Sequence, residues 1–581
     1  MLKTPNNSAE NIDETLYFNG VNGATGGYFF TPQAVTELSE VAQKSLLAEK
    51  VDGESPNEIT SDPHLRDLIS RHRDDSEDKF DVIEGVDPND LSDTGWGIIF
   101  PAKIDPAIRE ALQELILHRQ QEAGEYFKEY TIFPGESAND FLSQHGARVF
   151  DPADPSKVPY YLLIVGDFRD IPFDFQYQLD VQYAVGRIYF KTPQEYAQYA
   201  HSVVQAETTN LSLPPEAKLF GVANPDDRAT ELSAKYLIKP LQEFLTTDRR
   251  FLKKNSHWNI DTYLTEDATK AKLSQLLGGD ETPAFLFTAS HGIGFPNQDP
   301  RQLPHQGAFV CQDWPGPDFR EPMPEDFYFS ADDVAEDANV FGLISFHFAC
   351  FGAGTPEMDE FGHRRNDWQQ IAPYSFMANL PQRLLSHPKG GALAFVGHVD
   401  RAWGYSFGGK EEQLTTFKST LQRLTEGNRI GRAVECFNER YAAVSSELTK
   451  DLWYIKAGKK SNDYQLSYLW TTNNDARGYG IIGDPAVRLM VDENAPKLEK
   501  RPEIQSVEFV SSEANPPKLA TVASTVTTVQ KETASVEFSI PQLNSTPDLD
   551  NKPEDALLGF VNLLNNLVKR VEQLEEQVKQ R

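Results

Sequence analysis

The stretches Ala284-Phe-Leu-Phe-Thr-Ala-Ser-His291-Gly292 and Val340-Phe-Gly-Leu-Ile-Ser-Phe-His-Phe-Ala-Cys350-Phe-Gly-Ala-Gly354 decide the fold class of this chain. Each is a short, continuous apolar run that stops at a reactive residue beside glycine. Runs of this kind read as strands buried on both faces, the pattern of a parallel sheet covered by helices. Open α/β sheets place their ligands at the carboxyl ends of the strands. His291 and Cys350 are therefore expected at that edge, and they can meet if the two strands are neighbours. A thiol reacts as its thiolate, and a nearby imidazole can lower its pKa or take its proton, so the pair has a chemical use. Gly292 leaves backbone N–H groups open to a substrate carbonyl, since no Cβ crowds the approach.

Outward from this pair, strand and helix alternate. Strands are predicted at Trp96–Phe100, Tyr160–Gly166, Ala217–Ala223, Thr262–Leu264, Gly390–Gly397 and Gly478–Asp484. Helices are predicted over Pro106–Glu125, Pro193–Ala206, Tyr374–Ser386, Leu414–Thr425 and Ile430–Leu448, which gives βαβ crossovers and a largely parallel sheet. Residues 292–324 are dense in Pro, Gly, Gln and Asp and read as a long irregular loop, a mobile gate over the site. Near the N-terminus, Leu16–Gly20 and Gly26–Phe30 suggest a hairpin around Asn22-Gly23, followed by a helix over Pro32–Ala48.

Composition narrows the class. A net charge of −32 argues against nucleic acid and against an anionic membrane surface. No apolar run approaches the roughly 18 residues of a membrane span, and no basic and apolar leader opens the chain, so a cytoplasmic location is expected. Three cysteines without a CxxC pair indicate neither a disulfide framework nor a zinc site. Cys436 lies in a helical pattern and reads as core, and Cys311 lies in the long loop. Residues 557–578 carry Leu557, Phe560, Leu564, Leu567, Val571, Leu574 and Val578 at 3-4 spacing, a heptad helix suited to self-association or a regulatory partner.

The order of these motifs resembles the caspase, gingipain and CHAT group of cysteine peptidases. Gly483-Asp484-Pro485-Ala486-Val487-Arg488-Leu489 is similar to the element that closes the sheet in gingipain-like and CHAT-like members. Tyr161-Leu-Leu-Ile-Val-Gly166-Asp167, Ile171-Pro172 and Tyr183-Ala-Val-Gly186-Arg187-Ile188 resemble the preceding subdomain of gingipain-like enzymes. The resemblance implies an α/β caspase-like three-layer sandwich with a mostly parallel sheet, preceded by a gingipain-like α/β subdomain. The expected division is 1–93, an N-terminal covering region; 94–255, the gingipain-like subdomain; 256–497, the catalytic domain; 498–553, a linker with possible short strands; and 554–581, a coiled-coil helix.

It further implies an intracellular cysteine endopeptidase acting on protein or peptide substrates without a cofactor. Cys350 is the nucleophile and His291 the base, and the N–H groups of Gly292 and Cys350 hold the oxyanion. Asp400, Arg401 and Trp403 stand where related enzymes build the pocket for the side chain preceding the scissile bond, with His398 in its wall. His347 falls on the strand face opposite Cys350 and reads as a packing residue, and Asp484 as a structural turn residue. Relatives specific for Arg or Lys carry an acidic residue two positions before the Cys, where this chain has Phe348, so the cleavage preference stays open. The rival readings are a catalytically silent scaffold that recruits a partner through the heptad helix, and an acyl-transferring or ester-hydrolysing enzyme using the same dyad.

Overall fold

The computed structural model describes residues 15–48, 82–149, 151–209, 211–359, 369–404, 411–495 and 500–511. The heptad helix expected over 554–581, and most of the 498–553 linker, lie outside the described residues. The protein is α/β, built on one ten-stranded sheet flanked by helices. Its strands in chain order are β1 Trp96–Pro101, β2 Phe127–Ile132, β3 Tyr161–Val165, β4 Ala184–Ile188 and β5 Glu216–Gly221. They continue as β6 Asn259–Leu264, β7 Phe285–Ala289, β8 Ile344–Phe348, β9 Ala394–His398 and β10 Tyr479–Gly483. Their order across the sheet is β2-β1-β3-β4-β10-β9-β8-β7-β5-β6. Strands β2, β1, β3 and β4 pair in parallel, as do β9, β8, β7, β5 and β6, while β10 runs antiparallel to β9.

The central strands are the apolar runs of the sequence. Every residue of β3, β7, β8 and β9 is buried, and burying each large aliphatic or aromatic side chain stabilises by about 1.5–3 kcal/mol. The edge strand β2, Phe-Lys-Glu-Tyr-Thr-Ile, buries only Tyr130 and Ile132. Its polar alternation carries no buried-strand signal, and it was not expected from the sequence. The helix Pro193–Thr208 starts at a capping box of Thr192 and Glu195 with proline in its first turn.

Charged side chains tie the periphery to this sheet. Arg119 is fully buried and its guanidinium meets Asp484 at 2.7 Å and Glu207 at 2.7 and 2.9 Å. Asp484 also accepts from the Trp96 indole at 2.9 Å, so the turn after β10 is pinned to β1. Arg187 donates to Gln176 and to the carbonyls of Gly166 and Asp167, which holds the loop after β3. That loop carries Phe168, against whose ring a Cβ at Gly354 would sit 2.6 Å away.

The region 292–324 differs from its expectation as an irregular gate. Gly292–Gly294 and Phe309–Val310 are strands of a four-stranded sheet completed by Tyr328–Phe329 and Gly20–Asn22. Val21, Ile293, Phe295, Val310, Trp314 and Tyr328 form a small core of their own beneath it. The prolines and glycines mark turns between these short strands, and aromatic burial supplies the order that backbone periodicity lacks. The turn expected at Asn22-Gly23 is present, with Asn22 N–H bonded to Gly27 O at 2.8 Å. The ladder partner of Gly20–Asn22, however, is Gly292–Gly294, in parallel.

Residues 500–511 contain no strand. The weak strand pattern at 506–510 is satisfied instead by glutamines of the helix Pro193–Thr208: Val507 N–H bonds to Gln198 and Phe509 N–H to Gln194. Among the described residues, no helix is long and apolar enough to cross a membrane.

Candidate active site

The parallel register of β7 and β8 sets Ala289 opposite Phe348. Two residues further on, His291 and Cys350 therefore leave neighbouring strands at the same level. Ser290 N–H donates to Phe348 O at 3.1 Å and keeps the two chains joined past the strand ends. Gly292 then packs on the backbone of Cys350 so closely that a Cβ there would lie 1.7 Å from the Cys350 carbonyl oxygen. Only glycine fits that approach.

His291 is wholly buried, and its Nε2 lies 2.7 Å from Asp227 Oδ2. Asp227 follows β5, which pairs with β7 on the side away from β8. Its carboxylate also accepts from Tyr28 OH at 2.7 Å, from the Thr230 hydroxyl, and from the N–H groups of Ala229 and Thr230 as N-cap of the helix Arg228–Ser233. Burial alone would raise this carboxyl, yet the imidazole and the hydroxyl donors outweigh it and hold it below the usual carboxylate range. An ionised carboxylate only accepts, so the imidazole carries its proton on Nε2 and leaves Nδ1 as the basic nitrogen. Nδ1 is buried and has no hydrogen-bond partner.

The Cys350 sulfur accepts from Ala402 N–H at 3.1 Å. Burial pushes the thiol pKa up, against the smaller opposing effect of that N–H. Backbone strain gathers around these groups. Asp226 (φ 55°), Phe351 (φ 59°) and Asp400 (φ 69°) all adopt the left-handed region, which costs on the order of 1–3 kcal/mol each for non-glycine residues and clusters at functional sites. Phe351 N–H donates to Asp400 O at 2.7 Å, fastening the segment after β9 to the cysteine turn.

That segment contains the residues expected to build a substrate pocket. Arg401 pairs with Asp359 and lies 3.6 Å over the Phe30 ring. Trp403 is buried with its ring centroid 3.9 Å from that of Phe18. Burial pushes the Asp400 carboxyl up to about 6. A cavity of about 190 Å³ opens beside them, lined among others by Phe168, Phe173, Asp400, Arg401, Trp403 and Arg477. The main chain of Ala402 meets the cysteine sulfur, and the N-terminal segment Tyr17–Asn22 runs between this stretch and Gly292, with Asn19 bonded to Ala402, Gly404 and Gly292.

The other histidines and cysteines stand apart. His347 bonds Thr288 through Nδ1 at 2.8 Å and stacks between Phe309 and Phe395, and burial lowers its pKa to about 3. His398 Nε2 lies 2.9 Å from the Asp475 carbonyl. Cys311 and Cys436 are buried free thiols. Among the described residues one group, His118, Glu122 and Glu207, brings ligand atoms within metal-binding reach of one another. The Arg119 guanidinium already bonds both of those carboxylates.

Sequence reasoning missed Asp227, Tyr28 and the N-terminal segment. Asp227 offers locally only the signal of a helix N-cap after a strand, and its meeting with His291 depends on β5 lying beside β7. No family model matches the chain, and no curated protein matches it. A solved structure described as that of a protease matches with 14% sequence identity and a TM-score of 0.40, over 69% of this chain and 80% of that one.

Proposed function

We propose that the protein is a cysteine endopeptidase with a caspase-like catalytic half, residues 256–497, and a gingipain-like half, residues 94–255, acting on protein substrates in the cytoplasm. The observation that carries this reading is the level delivery of His291 and Cys350 by paired strands, with Asp227 fixing the imidazole from behind. Nucleophile, base and orienting acid are the three parts that activated-nucleophile catalysis requires. His291 Nδ1 takes the thiol proton and passes it to the leaving amine, while the Cys350 thiolate attacks the peptide carbonyl. The N–H groups of Gly292 and Cys350 receive the oxyanion. Three unpaired cysteines suit a reducing compartment.

The test is labelling with a peptidyl electrophile. Wild type is expected to be modified at Cys350 alone, with labelling lost in His291→Ala and unaffected in Cys436→Ala. A wild-type protein that resists every peptidyl electrophile and hydrolyses no peptide would overturn the reading.

Gly292→Ala probes the oxyanion donor separately. Its methyl group has no room beside the Cys350 carbonyl, so the two backbones must part and the donor shifts. Turnover of a peptide should fall on the order of 10²- to 10³-fold, the usual consequence of losing one such donor, with unfolding still cooperative. Turnover within threefold of wild type would remove Gly292 from the oxyanion role.

A further inference from the structure

The N-terminal segment crosses the candidate site, bending at Asn19 before the strand Gly20–Asn22. Asn19 N–H donates to Ala402 O at 3.2 Å, and Asn19 O accepts from Gly292 N–H at 3.0 Å. The second bond puts the Asn19 carbonyl oxygen on the donor assigned to the oxyanion. Gly20 follows with its Cα beside the sulfur, since a Cβ built on it would stand 3.5 Å from Cys350 Sγ and 3.7 Å from Cys350 Cβ. Residues 20–22 continue as a strand paired in parallel with Gly292–Gly294. On the other side, the Phe18 ring packs on Trp403. The polypeptide is thus held on both sides of one bond, and the Cys350 sulfur stands beside the residue that follows it.

The side chain of Asn19 is wholly buried. Its Oδ1 accepts from Gly404 N–H at 3.0 Å, and the Ala229 carbonyl and Leu232 approach Gly404 from the helix that Asp227 caps. None of these contacts is charged: Gly404 N–H meets the amide oxygen, Nδ2 is buried without a hydrogen-bond partner, and a carboxylate or ammonium in the same place would be costly to bury. Gly20 has no side chain to crowd the sulfur.

We propose that the enzyme's own Asn19–Gly20 bond is a substrate of this site, and that the pocket selects asparagine before the scissile bond. The inference rests on the peptidase reading and names its specificity and its control. The Cys350 thiol proton passes to His291 and the sulfur bonds to the Asn19 carbonyl carbon. The C–N bond breaks and Gly20 leaves as an amine carrying that proton. Water then hydrolyses the thioester, giving the Asn19 carboxylate and restoring the thiol. Before the cut, the covalently tethered segment buries Cys350 and shuts out other peptides. After it, Gly20 onward stays paired with Gly292–Gly294 and Thr15–Leu16 stays paired with Gln33–Ala34, so the new Asn19 end is no longer tied to Gly20 at the sulfur and can swing out of the site.

The experiment uses the full-length chain, followed over time by intact mass and N-terminal sequencing, beside Cys350→Ala and Asn19→Lys. Wild type should yield a chain beginning at Gly20, and both variants should stay whole. A synthetic peptide spanning Tyr17–Asn22 should be cut by wild type after Asn, at least tenfold faster than versions with Asp or Lys at that place. Cleavage of the Cys350→Ala chain at the same rate would mean that the Asn-Gly bond breaks by itself, and the inference falls. Hydrolysis of other peptides with the Asn19–Gly20 bond left intact, in the chain and in the added peptide, overturns the inference and leaves the peptidase standing. Absence of any hydrolysis together with absence of Cys350 labelling overturns both.

Discussion

Cys350→Ala should remove measurable peptide hydrolysis, and the double variant with His291→Ala should be no worse than either single one. Nucleophile and base act as one unit, so losing either forfeits the same step. Comparable removals lower turnover on the order of 10⁶-fold without adding up. The two variants differ in what they do to the fold. Cys350 is fully buried and exchanges only weak bonds with Ala402, so alanine leaves a small space and a cooperative unfolding transition. His291→Ala removes one hydrogen bond from the buried Asp227 carboxylate, which keeps its donors Tyr28, Ala229 and Thr230, and the loss of a hydrogen bond to a charged group costs about 1.5–3 kcal/mol. Its turnover therefore has to be read beside its melting curve, with Cys350→Ala as the clean probe. Residual turnover above a few per cent of wild type in Cys350→Ala would assign the nucleophile elsewhere.

Asp227→Asn is the second large effect. An amide keeps the size of the carboxylate and can still cap the helix Arg228–Ser233, so the fold should survive. It can no longer require the proton on Nε2 of His291. An asparagine that offers its NH₂ to that nitrogen places the imidazole proton on Nδ1, the nitrogen that has to accept the thiol proton. The expected loss in kcat is on the order of 10⁴-fold, the cost of the wrong tautomer in an analogous triad, with KM nearly unchanged because Asp227 touches no substrate. Cys350 labelling should slow in parallel and show an altered pH profile. A fall in kcat of less than tenfold would reduce Asp227 to a helix cap that happens to meet a histidine.

The candidate dyad was legible because each half is announced locally. In β7 and β8 every residue is buried, so the apolar runs are continuous. His291 and Cys350 stand where continuity stops, two residues past the last paired positions. The same logic located β3, β9 and β10 to within a few residues. It did not reach β2, whose side chains alternate toward solvent, or the helix Asp463–Gly478, whose polar face dilutes its apolar one. The region 292–324 read as featureless because its order comes from a small aromatic core shared with Val21 and not from any periodicity of its own.

The sequence by itself determined the class of the sheet, the edge at which a thiol and an imidazole arrive, and the glycine that must follow the imidazole. These are consequences of which residues avoid water and where the chain needs room, and a window of five to ten residues contains them. Only the tertiary structure decided which strand lies beside which. From that order follow the carboxylate that meets His291, the backbone of Ala402 that meets Cys350, and the N-terminal segment that crosses the candidate site. Asp227 and His291 lie 64 residues apart, and Asn19 and Gly404 lie 385 apart. Polar contacts over such separations leave no local pattern, because each partner is chosen by the packing of the whole sheet and not by its neighbours in the chain.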